Sequence, residues 1–319
     1  MGFSKEIKRK MLISVIMPTR NRVTLAVRAL AALSRQTFPS SEYEIIVIAD
    51  SCVDDTVSVL KAQGWGLGDE RRRLLDINGN GGPAKARNAG VRLARGKYLA
   101  FTDDDCVVEP DWLVNLLEAL EKPGVVAVGG RTITIAAERT PLTHQVENEG
   151  KMDLIPTCNA ACRREAFEKI GGFSEQFSFL NEDTDFSWRL EAIGLLCYAP
   201  RALVVHPPRP DTFKAKVRWV RNLKSEFLLA ARNPRLYAAR RRSPWRFIYW
   251  RILVKEHLRY LKAALGDLVL RRRIDWCLIR LALVAARSGY LLALMPRFRT
   301  AALAALERLQ PAPANEPFK

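Results

Sequence analysis

The sequence predicts an α/β domain with a mostly parallel sheet flanked by helices, followed by a basic, mostly helical C-terminal extension. Three observations predict it. Short apolar runs alternate with helical stretches of about ten residues, the pattern of βαβ units. Those runs are nearly continuous Val, Ile and Leu, as in strands covered on both faces. The charge also changes along the chain. From Pro207 onward there are 25 Lys and Arg against 7 Asp and Glu, whereas residues 1–206 carry a net charge of −1. A chain of 319 residues can hold one large domain with an appendage, or two domains. The expected division is 1–210 and 211–319.

In order, residues 12–17 (LISVIM) read as a buried strand stopped by Pro18, with residues 19–22 as a polar turn. Thr24 is the expected N-cap of an Ala/Leu-rich helix to Ser34. Residues 44–49 (EIIVIA) form a second strand running into Asp50, and Thr56 opens a helix to Gln63. Residues 73–77 give a third strand, and a Gly-rich turn (78–83, NGNGGP) leads into an Ala-rich helix from Ala84 to Ala94. Lys97 to Thr102 is the fourth strand. A helix then ends near Leu120, and residues 125–128 form a strand closed by Gly129 and Gly130. The polar segment 136–154 reads as a loop with some helix, mobile over a site. A helix follows to Ile170 and stops at Gly171 and Gly172. A further helix begins at Asn181, with Trp188 in the core and Arg189 at the surface. Residues 203–206 give a last short strand before Pro207 and Pro208.

In open α/β sheets, ligands collect at the carboxyl ends of the strands. Thr19 and Arg20, Asp50, the Gly-rich turn and the carboxylates Asp103, Asp104 and Asp105 each follow a strand. Three adjacent negative charges repel unless positive charge sits among them. A strand that delivers Asp103 and Asp105 to one side, with period two, makes half a site for a hard divalent cation. The alternative is a solvated acidic turn before the next helix. At the Gly-rich turn, Gly81, Gly82 and Pro83 permit a tight approach and start a helix whose N-terminus, with Lys85 and Arg87, favours an anion. No GK[ST] follows, so this is not a P-loop, and the first strand carries no dinucleotide fingerprint. The six cysteines have no framework or zinc spacing and read as free thiols in a reducing compartment. The basic N-terminus has no long apolar region behind it, so no secretory signal is expected.

The ordered blocks SVIMPTRNR, VIADSCVDDT, GPAKARNAG, FTDDDC, IGGFSEQF and NEDTDFSWRL resemble the inverting glycosyltransferases of family 2, which have the GT-A nucleotide-diphospho-sugar fold. The resemblance runs over residues 12–206. It implies an enzyme moving a hexosyl group from a nucleotide-diphospho-sugar, with Mg2+ or Mn2+ as cofactor. On this resemblance Asp105 is the direct metal ligand, Asp103 lies toward the ribose or the metal, and His206 completes the metal site. Pro18, Thr19, Arg20, Asp50, Lys85, Arg87, Asp103 and Asp104 would line the nucleotide-sugar. Ala49 stands where the family usually has an acid beside Asp50, a departure that bears on base preference. Asp183 would be the general base, which a helix N-terminus keeps ionised. Glu182, Asp185 and Asn159 would lie on the acceptor side. The plainer alternatives are helix capping for the acids at 182–185, a turn role for Thr19, a solvated Lys85 and a buried polar role for His206.

Residues 211–310 read as several helices in which Lys and Arg accompany Trp and aliphatic residues. The most apolar stretch, Trp276 to Met295, contains Arg280 and Arg287, which make a clean membrane span costly. The pattern suits helices lying in an anionic membrane interface. The expected acceptor is then a lipid-linked or cell-envelope glycan, with the protein peripheral at the cytoplasmic face of the cell membrane. A helical appendage packed on the catalytic domain is the alternative for this region. Nucleic acid is not an expected partner, since no zinc finger or RRM signature is present. The competing functions are a non-catalytic nucleotide-sugar-binding scaffold and a nucleotidyltransferase of related fold.

Overall fold

The structure, a computed structural model, describes residues 11–78, 81–134, 140–144, 146–150, 154–178 and 180–307. The basic N-terminal ten residues, Gly79 and Asn80 of the Gly-rich turn, and much of the 136–154 segment lie outside them. The chain divides into two compact units. The first comprises Met1–Ile135, Val146–Ser178 and Glu182–Pro207; the second comprises Ala136–Gln145, Phe179–Asn181 and Pro208–Lys319.

The first unit holds an eight-stranded sheet. Its strands are β1 (Ile13–Thr19), β2 (Tyr43–Asp50), β3 (Arg72–Ile77), β4 (Tyr98–Thr102), β5 (Val107–Val108), β6 (Val125–Ile133), β8 (Asn159–Arg163) and β9 (Leu195–Val205). The spatial order is β3-β2-β1-β4-β8-β6-β9-β5. The first four strands in that order run parallel. β8 lies antiparallel to both β4 and β6, and β6 is parallel to β9. The carboxyl ends of β1, β2, β4 and β9 therefore share one edge.

Helices α1 (Val23–Leu33), α2 (Thr56–Ala62), α3 (Gly82–Leu93), α4 (Trp112–Leu120), α5 (Arg164–Lys169) and α6 (Glu182–Glu191) complete this unit. Successive residues of a strand point to opposite faces. Val15 and Met17 of β1 accordingly pack with Leu30 and Leu33 of α1 and Trp112 and Leu116 of α4. Ile16 faces the other way, into a cluster with Val91 of α3, Phe167 of α5 and Phe186 of α6. Phe173 and Phe186 stack there with ring centroids 4.1 Å apart, beneath the start of α6.

The structure departs from the sequence expectations in four places. Helix α1 starts at Val23, so Thr24 lies inside it and makes no cap. Gly129 and Gly130 do not close β6, which continues to Ile133. A Cβ on Gly130 would collide with the Asn159 amide and the Ala202 carbonyl, so glycine there permits close strand packing. β9 begins eight residues earlier than expected, at Leu195. β8 has no counterpart in the sequence reading.

In the second unit, β7 (Thr143–His144) pairs with β10 (Arg209–Pro210). Helices α7 (Phe213–Arg218), α8 (Ser225–Arg232), α9 (Pro234–Arg241), α10 (Pro244–Phe247), α11 (His257–Val269) and α12 (Ile274–Glu307) follow. Phe227, Ile248, Leu291, Leu294 and Phe298 form its core. Glu226, 2% exposed, accepts from Tyr237 Oη at 2.7 Å, from Arg241 and from the Asn181 amide, so this buried carboxylate is fully engaged.

Candidate functional site

The expected polar residues of the first unit converge at the carboxyl edge of its sheet. Pro18 and Thr19 are the last residues of β1 and Asp50 the last of β2. Asp103, Asp104 and Asp105 follow β4, and His206 follows β9. Asn21 and Ser51 take positive φ values of 52° and 55°, which turns the chain sharply after β1 and β2. The Asn21 side-chain oxygen accepts from Val53 N at 2.8 Å and ties the two turns together. Asp50 is buried, Arg20 is exposed and Lys85 is half-buried.

The three aspartates have different partners. Asp104 is buried and braced, accepting from Thr19 Oγ1 at 2.8 Å and from Arg22 at 3.0 Å. Burial pushes its carboxyl up to about 6, against the pull of Arg22. Asp105 takes Arg22 on Oδ2 at 3.3 Å and faces His206 Nε2 with Oδ1 at 3.4 Å. Asp103 is the most open of the three, and its Oδ1 accepts from Arg87 at 2.8 Å.

Among the described residues, one group of side chains could hold a metal ion. Donor atoms of Asp105, Cys106 and His206 all lie within 4.8 Å of one another, and all three residues are buried. Of this group, the Asp105 oxygen and the His206 imidazole nitrogen suit Mn2+, whereas the Cys106 thiol is the donor of a softer ion. Asp103 is not in this group; its Oδ1 is engaged by Arg87.

Arg87 is the centre of the site. Helix α3 starts at Gly82, whose φ of +80° and close approach to the Ser178 carbonyl exclude a Cβ. That start places Arg87 one turn into the helix, 3% exposed, with its guanidinium 5.7 Å from the Phe173 ring centroid. Besides Asp103, it reaches Asp183 at 3.9 Å and Glu182 at 4.0 Å. Three carboxylates hold it cationic against burial, and its pKa rises. Asn88, beside it, donates to the Phe173 carbonyl and accepts from the Phe173 amide, which fixes the segment carrying the aromatic floor.

Asp183 sits in the first turn of α6 with its side chain 27% exposed. It accepts from Thr157 Oγ1 at 2.7 Å and from Thr157 N at 3.3 Å. The sequence reading expects the helix terminus to keep it ionised. Burial acts the other way and raises its pKa, while Arg87 and Thr157 oppose the shift. Glu182 is pushed up to about 7, first by burial and then by Asp183. Both carboxyls are thus raised by burial and opposed by the one cation, Arg87.

Three expected positions stand apart from this arrangement. Asn159 is fully buried, and its amide is spent inside the fold. It accepts from Trp112 Nε1 at 2.8 Å and donates to the carbonyls of Arg131 and Ala202. Its amide is thus engaged between β6, β9 and α4. Asp185 is likewise fully buried and is ion-paired with Arg189 at 2.7 Å. Arg189 is not a free surface residue: it donates to the carbonyls of Ile170 and Gly172, closing the end of α5. The sequence reading missed Arg22, Thr157 and Cys106. A buried acid triplet needs a counter-charge, and Arg20 and Arg22 both follow β1 closely, with Arg22 the one that pairs; Thr157 offered no such signal.

The eight-stranded sheet, the carboxylates at its edge and the helical extension define a GT-A nucleotide-diphospho-sugar transferase fold. The mannosyltransferase PcManGT from Pyrobaculum calidifontis, solved in complex with GDP-Man and Mn2+, superposes with a TM-score of 0.58 at 20% identity, covering 89% of this chain and 87% of that one. The glycosyl transferase family 2 model matches residues 14–183, and the chain belongs to that family. It is 28% identical over 210 residues to the glycosyltransferase AglE of Haloferax volcanii, a match covering 62% of this chain and 67% of AglE. It is also 32% identical over 144 residues to the pre-mycofactocin glycosyltransferase of Mycobacterium tuberculosis, covering 40% of this chain and 30% of that protein.

Proposed function

We propose that the protein is a divalent-metal-dependent, inverting glycosyltransferase that moves a hexosyl group from a nucleoside-diphosphate sugar to a hydroxyl of a lipid-linked or cell-envelope glycan. The observation that carries this reading is the reach of Arg87. One buried cation spans Asp103 on the donor side and Asp183 on the acceptor side, the two groups a single displacement has to coordinate. The GDP-Man and Mn2+ bound to the structural neighbour support a donor and a metal of the same chemistry.

In this mechanism, Asp183 accepts the proton from the acceptor hydroxyl. The freed oxygen attacks the anomeric carbon as the bond to the donor phosphate breaks, and the nucleoside diphosphate leaves with the bonding electrons. A single displacement inverts the anomeric configuration, so no enzyme nucleophile is required. Thr157 orients Asp183 through its hydroxyl and amide, and Arg87 favours the ionised form that a base needs. Asp50, with Pro18, Thr19 and Arg20, lines the nucleoside side, and Asp103 and Lys85 approach the ribose and diphosphate. Asp104 holds the acidic turn in place through Thr19 and Arg22. Asp105 and His206 would hold Mg2+ or Mn2+, which when bound neutralises charge on the departing diphosphate.

The second unit supports a place at the cytoplasmic face of the cell membrane. It is strongly basic, and residues Ile274–Phe298 of α12 are long and apolar enough to cross a bilayer, with a mean hydropathy of 1.6. We place the division between catalytic domain and membrane-associating region near residue 210. The test is a panel of UDP-, GDP- and dTDP-sugars with Mn2+, read by thermal stabilisation and by donor hydrolysis. At least one donor is expected to stabilise the protein in a metal-dependent manner. Absence of stabilisation by every nucleoside diphosphate would overturn the proposal.

A further inference from the structure

The charge on α11 and α12 is sorted by face. Two of the arginines that would make α12 costly to place against lipid are engaged within the helical unit, while Arg297 near its far end is exposed. Arg287 is 5% exposed and donates to Glu256 at 3.0 Å, and Arg280 pairs with the fully buried Asp267 of α11. On the open side, every exposed position of α12 from 278 to 296 is uncharged. Leu278, Leu281, Ala285, Gly289 and Leu292 recur there at three- and four-residue spacing, so they form one stripe. Helix α11 repeats the pattern with Leu258, Leu261, Leu265, Leu268 and Val269, which are between 42% and 61% exposed. With about 100° per residue, these five fall within about 100° of arc. Leu270, at the turn between the two helices, is 83% exposed, and Arg271, Arg272 and Arg273 follow it directly. Lys262 and Arg259 border the α11 stripe and are exposed.

A face free of charge is an outlier in a region carrying a net charge of +18, and a monomer in water gains nothing by exposing it. Leucines on one face, rimmed by lysine and arginine, match the chemistry of an anionic bilayer: acyl chains for the stripe and phosphates for the rim. We infer that the open faces of α11 and α12, with the Leu270 turn, are the membrane-docking surface. The helix pair lies in the plane of the interface, with leucines below the headgroups and Arg271 to Arg273 at phosphate depth. The pairing of Arg280 and Arg287 keeps both cations off this face. The inference rests on membrane association of the second unit and adds which residues meet the lipid.

The experiment uses the full chain and vesicles of phosphatidylcholine alone or mixed with phosphatidylglycerol, read by flotation over a salt series. The variants are Leu281→Glu with Leu292→Glu, and Leu67→Glu in the first unit as a control with 67% exposure. All positions are exposed, so melting temperature and nucleotide binding are expected to stay at the wild-type level. The wild type and the control are expected to float with anionic vesicles and to keep part of that binding at high salt. The double variant is expected to lose binding on the order of a hundredfold, since two charges enter the apolar layer. If the wild type floats and the double variant floats equally, this face is not the docking surface, and membrane association stands without it. If the wild type floats with neither vesicle at low salt, membrane association itself fails and takes the inference with it. Conversion of a wild-type dimer to a monomer by the glutamates, without vesicle binding, would overturn the inference and make the face a self-contact.

Discussion

Replacing Arg87 by Met keeps most of the side-chain stem but removes the cation that faces Asp103, Asp183 and Glu182. At 3.9 Å and an effective dielectric constant of about 20, the attraction between Arg87 and Asp183 is about 4 kcal/mol. The partial exposure of Asp183 reduces what that attraction is worth, but its sign favours the ionised carboxylate. Burial already holds Asp183 above the ordinary carboxylate range, so losing Arg87 moves it further up. The acid limb of the kcat profile should therefore shift to higher pH, with activity at neutral pH falling about tenfold or more. Stability should respond as well. Loss of the charged hydrogen bond to Asp103, and of the buried cation that faces Asp183 and Glu182, costs about 2–3 kcal/mol, a melting shift of about 4–12 °C. The pH dependence has a definite sign. Glu182 rises from 4.5 to about 7 on folding, so the folded state binds that proton more tightly. Its contribution is favourable at low pH and is lost as pH rises through that window. In Arg87→Met the window should extend to higher pH. The assays are a pH series of initial rates under saturating donor and a pH series of thermal melts. An acid limb that stays in place, or moves down, would refute the coupling of Arg87 to Asp183.

Gly82→Ala should destabilise by about 1–3 kcal/mol, because a Cβ at φ +80° would collide with the Ser178 carbonyl; melting temperature reads it. Asn159→Ala leaves Trp112 Nε1 without its acceptor in the core and should cost about 2–4 kcal/mol, while the protein that folds keeps its kcat; paired melts and kinetics separate the two effects. His206→Gln should weaken Mn2+-dependent nucleotide binding about tenfold or more and leave metal-free nucleotide binding unchanged, as titration with and without EDTA would report.

The parallel half of the sheet was legible because β1, β2 and β4 are buried on both faces and read as continuous apolar runs. β8 was not, since Asn159-Ala-Ala-Cys-Arg163 has small residues with neither β-branching nor alternation. Its pairing with β4 and β6 is decided by long-range packing. Gly129 and Gly130 misled for a related reason: two glycines suggest a turn, yet here they admit a buried amide beside the strand. At the site, the acidic turn and the α6 acids could be named from sequence, but their division of labour could not. Asp104, Asp105, Asp183, Asp185 and Asn159 share polarity, and only burial and partners tell them apart. Arg22 was passed over as a turn residue because its partners lie more than eighty positions away.

The most direct test of the account is Asp183→Asn, assayed in parallel for donor binding and for sugar transfer. The amide keeps the size and the Thr157 contact but cannot accept the hydroxyl proton. The account predicts donor affinity within about twofold of wild type and a kcat lower by about a hundredfold or more. Transfer at the wild-type rate, with the donor bound as before, would contradict it.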